Sequence, residues 1–146
     1  MKGLVAAHSG LRYIVLALLL VAIINALLNI GKNSYTKKDK LINLFTMVSL
    51  HIQLALGLIL YFVSDKVQFV EGLMGNANLR FYAVEHISLM LLAIIFITLG
   101  RRKAEKMKIP GQSHKMIFRY YGLGLILIFI AIPWPFIYDT LGAGYF

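Results

Sequence analysis

The chain has 146 residues, 60% apolar and 14% charged, with a mean hydropathy of +0.77, against roughly 45–50% apolar and 25% charged in ordinary soluble domains. This argues against a soluble globule; at about 20 apolar residues per bilayer crossing, the length accommodates four spans in a single membrane domain over 1–146. Cysteine is absent, which excludes disulfides, covalent haem attachment, iron–sulfur clusters and thiolate chemistry, and the formal charge of +9 falls largely in two short loops, a topology signal rather than a nucleic-acid surface.

Taken in chain order, residues ~4–30 form the first long apolar stretch. His8 and Arg12 interrupt what would be the apolar region of a signal peptide, so this segment is expected to stay in the chain. The loop at 31–40 carries four lysines against one aspartate. The second predicted helix, ~41–63, ends in Tyr61 and Phe62, an aromatic pair suited to a bilayer interface. Residues 64–80 mix glycine and asparagine with Phe69, Val70, Leu73 and Met74, which predicts a loop resting on the interface or covering the bundle. The third helix is predicted over ~81–100, a loop with six lysines and arginines follows at 101–115, and the fourth helix is predicted over ~116–137. The fold class is thus an all-α, four-helix transmembrane bundle. Its two basic loops are expected in the cytoplasm and both termini outside, which fits a multi-pass protein of a bacterial inner membrane.

Ionisable residues at membrane depth are costly, so the four histidines are candidates for function. At 1.5 Å per residue, His8 and His86 both lie ~5–8 Å below the outer boundary, His51 comes near the middle at ~15 Å, and His114 stands at the cytoplasmic edge. His114 is expected to be a solvated interfacial residue. Two imidazoles at one level on separate helices suit axial ligation of a haem iron, so His8 and His86 are the candidate metal ligands and haem b the candidate cofactor. Arg12, on the face of His8, and Arg80, above His86, are candidates to meet haem propionates. Tyr82 would close the pocket edge. Ala22, Gly57 and Ala93 are small enough for close helix approach or for a flat macrocycle. His51 leaves a second haem or a quinone open. Gln53, Asn25 and Asn29 are expected to form interhelical hydrogen bonds. Each histidine also has the plainer reading of a hydrogen bond to a neighbouring helix. No Gly-rich phosphate loop, H-E-x-x-H or G-x-S-x-G is present.

Three segments, HSGLR at 8–12, QLALG at 53–57 and VEH at 84–86, give residues ~8–100 a resemblance to the four-helix half-domain of the haem A synthase family. The resemblance implies that His8 and His86 bind a haem axially and that Gln53 and Gly57 belong to a helix-packing motif. The chain departs from that family in having four helices where those enzymes have eight. It also lacks an acidic residue at Leu4 or Val5, where they carry a glutamate linked to oxidation. It is similar as well to small bacterial cytochrome b-like membrane proteins. The sequence therefore predicts a membrane-embedded b-type haem protein for electron transfer or haem handling, with lipid and a redox partner or membrane-complex subunits as its surroundings. A haem-free structural or assembly subunit and a haem A synthase-like enzyme are the alternatives. Nucleic acid is not expected, and self-association into a homo-oligomer stays open.

Overall fold

A computed structural model describes residues 2–134. Its four long helices are α1 (Lys2–Asn29), α2 (Lys37–Val63), α3 (Ala77–Lys106) and α4 (Pro110–Ala131), each long and apolar enough to cross a bilayer. No strand occurs among the described residues. The helices form a ring in which α1 packs on α2 and α4, and α3 packs on α4 and, less extensively, on α2.

One spacing recurs in every helix. The buried positions are Val15, Leu19, Ala22 and Ala26 on α1, Asp39, Asn43, Thr46 and Leu50 on α2, and, beyond Phe81 and Ala83 near its start, Ala93, Ile97, Gly100 and Ala104 on α3. On α4 they include His114, Ile117, Tyr121, Gly124, Ile128 and Ala131. Steps of four and three residues alternate throughout, the seam that packs helices at a shallow angle. Because the chain is apolar all round, hydropathy does not reveal this seam. Small and polar residues mark it instead, and large apolar ones such as Leu28 and Phe45 face outward, as in bundles whose solvent is lipid. At Gly124 an added Cβ would lie 2.7 Å from the Ile97 side chain, so α3 and α4 approach more closely than alanine allows.

The helix ends differ from those expected in ways that local chemistry explains. Thr36 and Asp39 form a capping box that starts α2 at Lys37, earlier than predicted: Thr36 N–H donates to Asp39 Oδ2 at 2.7 Å. Asn76 caps α3 through the N–H groups of Asn78 and Leu79 at 3.0 and 3.2 Å. The basic stretch expected as a loop is mostly helix. Arg101 and Glu105 pair at 2.6 Å one turn apart, and Pro110 opens α4 at its first turn, where a missing N–H costs nothing. Only 107–109 connect the two helices. The last part of the predicted fourth helix, 135–137, lies outside the described residues.

This extension corrects the expectation for His114. It sits inside α4, is 1% exposed, donates from Nε2 to the Ser34 carbonyl at 2.9 Å and packs on Tyr35 with ring centres 5.0 Å apart. Around it, Asn25 donates to Asp39 Oδ1 at 2.8 Å, Asn43 to the Tyr35 hydroxyl at 2.9 Å and Tyr121 to the Asn43 carbonyl at 2.9 Å. Burial pushes the Tyr35 phenol above its ordinary pKa, so it stays a neutral hydroxyl. This network ties the 31–36 linker to α1, α2 and α4, at the end of the bundle opposite His8 and His86.

Candidate functional site

The imidazoles of His8 on α1 and His86 on α3 meet at the end of the bundle that carries the 64–76 loop, with ring centres 6.5 Å apart and planes crossed at 71°. Two imidazoles on opposite sides of one metal ion, with metal–nitrogen bonds of about 2.0–2.1 Å and roughly 1.1 Å from nitrogen to ring centre, would hold their centres about 6.3 Å apart. The observed spacing is that of a pair able to take one ion between them.

The chemical form of His86 follows from where α4 ends. A helical carbonyl is served by the N–H four residues on, and proline has none. Pro133 therefore strands the Phe129 carbonyl, and the carbonyl of Ala131, the last residue of α4, lies beyond the reach of the helix's own N–H groups. Trp134 Nε1–H donates to the first at 2.9 Å and His86 Nδ1–H to the second at 2.7 Å. Since a carbonyl only accepts, the His86 proton is on Nδ1 and the lone pair on Nε2, the form that binds a metal. Just before His86, Phe81–Glu85 form a π-turn, in which the His86 N–H reaches back to the Phe81 carbonyl. Tyr61 on α2 donates to the Ala83 carbonyl within that turn at 2.8 Å. Such single wide turns recur at functional sites.

His8 is held from α2. Gln53 Nε2–H donates to the His8 backbone carbonyl at 2.8 Å. Gly57, one turn further along α2, faces the ring, where an added Cβ would stand 3.0 Å from His8 Cε1. Gly57 thus makes room for the imidazole itself. His8 Nδ1 and Gln53 Oε1 are both buried without a hydrogen-bond partner.

The pair opens onto a cavity of about 290 Å³ whose lining includes His8, Arg12, Gly57, Lys66, Tyr82 and His86, with Leu16, Leu54, Met90 and Ile94 among its apolar walls. That size lies near the lower end of ligand sites, roughly 300–1,000 Å³. Arg12 stacks on Tyr13 and Trp134, at 4.7 and 5.8 Å from the ring centres. Lys66 Nζ lies 3.4 Å from the Tyr82 hydroxyl and 4.9 Å from its ring centre. Arg80 is elsewhere: its Nε pairs with Glu85 at 2.6 Å and its Nη1 donates to the Met74 carbonyl at 2.8 Å. The other cation on the cavity wall is Lys66, whose only signal in the sequence is its position just beyond the aromatic end of α2. His51 is exposed on α2, its Nδ1–H turned back to the Met47 carbonyl at 2.7 Å, and it does not line this cavity.

As a donor set, two facing imidazoles, apolar walls and two cations suit a haem better than a bare ion. No cluster of three or more His, Asp or Glu side chains able to hold a metal occurs among the described residues. The lone pair left on His86 Nε2 and the His8 ring seated on Gly57 with its Nδ1 unpaired fit a haem held by both imidazoles. No family model, curated protein or solved structure matches this chain.

Proposed function

We propose that this protein is a membrane-embedded b-type haem protein that transfers electrons. The observation that carries the reading is the His8–His86 pair, 6.5 Å between ring centres, on the wall of a largely apolar cavity. His8 and His86 would hold the iron, and Arg12 and Lys66 would meet the propionates, taking the role the sequence suggested for Arg80. When bound, haem supplies a one-electron couple. The Ala131 carbonyl keeps the proton of His86 on Nδ1, so Nε2 is always ready to ligate. The leucine and isoleucine walls exclude water, and the cations favour the acidic substituents of the macrocycle. With both imidazoles supplied by the chain, no position is set aside for a substrate, which favours electron transfer over haem modification. The ten lysines and arginines of the two basic loops support an inner-membrane orientation with those loops cytoplasmic and the haem near the outer surface.

The purified protein is expected to be red, with a sharp reduced-minus-oxidised visible spectrum. His8→Ala and His86→Ala should each abolish it, and His51→Ala should leave it unchanged. A colourless preparation that takes up no added haem refutes the reading. The same result would favour a structural subunit, which the hydrogen bond from His86 to Ala131 also suits, since it joins α3 to α4 without any cofactor.

A further inference from the structure

The two histidines of the pair are not equivalent in their outer partners. His86 gives its Nδ1 proton to a carbonyl oxygen, whereas His8 Nδ1 is buried with no partner. A buried polar atom left unpaired is costly. His51 shows the local alternative, a bond back to the carbonyl four residues earlier. His8 does not make it, because its ring is seated on Gly57. A second orphan of complementary kind belongs to Gln53, whose Oε1 is buried and unpaired on a side chain anchored to the His8 backbone carbonyl through its own Nε2 at 2.8 Å. Once His8 Nε2 is engaged by a metal, the imidazole proton must sit on Nδ1, and this donor then needs an acceptor.

We infer that Gln53 is the positioning residue of His8, its amide oxygen accepting the Nδ1 proton when Nε2 ligates. This rests on the haem reading above. Each ligand would then have a carbonyl oxygen behind it, one from the end of α4 and one from the Gln53 side chain. Gln53 sets the direction of the His8 lone pair and the basicity of the ligand without touching the iron.

The test compares wild type with Gln53→Leu and Gln53→Glu, reading haem content, midpoint potential and the histidine ring protons of the reduced, ¹⁵N-histidine-labelled chain. Leucine removes the acceptor, weakens the ligand and should raise the potential. Both variants lose the Nε2–H bond to the His8 carbonyl, so they differ in the acceptor: glutamate keeps and strengthens it and should lower the potential. Opposite shifts with haem retained are expected, and the wild type should show a downfield, hydrogen-bonded His8 Nδ1 proton. A packing role alone would move both potentials the same way or neither. That result, or a wild-type Nδ1 proton exchanging freely with water, overturns the inference while leaving the haem reading intact. A wild type that takes up no haem overturns both.

Discussion

Alanine at Gly57 should move the stability of the bundle and the geometry of the site in opposite directions. Within a helix, alanine is favoured over glycine by roughly 0.5–1 kcal/mol, so on that count α2 gains. The new methyl, however, would stand 3.0 Å from His8 Cε1, where carbon atoms prefer about 3.5–4.0 Å. The imidazole must yield by roughly 0.5–1 Å, and a side chain held off its rotamer costs about 0.5–1.5 kcal/mol. At about 1.4 kcal/mol per tenfold, haem affinity should fall about 2- to 12-fold, while thermal unfolding of the haem-free protein in detergent stays level or rises. Haem titration followed at the visible bands, beside a melting curve of the apoprotein, measures both. Wild-type affinity in Gly57→Ala would refute the idea that Gly57 seats the ligand. A fall in apoprotein stability as large as the loss of affinity would show that the substitution acts on the whole bundle.

Other expectations follow from the same geometry. His86→Ala strands the Ala131 carbonyl, and His8→Ala strands nothing, so in denaturant unfolding the haem-free His86 variant should be less stable than the His8 variant by about 1–3 kcal/mol; equal values would remove the case for the cap on α4. Asp39→Ala takes the acceptor from Thr36 N–H and Asn25 and should cost about 1–3 kcal/mol, seen as a lower melting temperature, whereas Lys40→Ala on the exposed face should stay within about 0.5 kcal/mol. Reporter domains fused after Lys38 or Lys106 should be active only as cytoplasmic fusions; periplasmic activity at either position would invert the proposed orientation.

The level of His8 and His86 was readable from the sequence because a rise of 1.5 Å per residue converts position into depth, and both residues stand near the same end of long apolar runs. Ala22 and Ala93 were likewise readable as close-packing positions, and both are fully buried. Arg80 was not. Its partner Glu85 lies five residues away, a pair that an α-helix splays apart and a π-turn brings together, and nothing in the local composition announces the wide turn. His114 escaped for another reason: a run of lysines and arginines reads as loop, yet the i,i+4 pair of Arg101 with Glu105 and the proline at the start of α4 carry the helices through it. The proton position of His86 follows from the Ala131 carbonyl at the end of α4, and recovering it from the sequence requires knowing that α3 passes that end.

The ring of helices is also two hairpins side by side. The pair α1–α2 carries His8 together with Gln53 and Gly57, and the pair α3–α4 carries His86 together with the carbonyl that fixes its proton. Each hairpin thus holds a half-site built from its own residues, the tautomer fixed within one and the ring seat within the other. Any group that bridges the two imidazoles then acts as a hasp across the seam, and its binding free energy becomes docking free energy between the hairpins. A ligand at 100 times its dissociation constant adds about 2.7 kcal/mol to the folded state, and here that increment would resist the parting of the halves rather than the melting of any one helix.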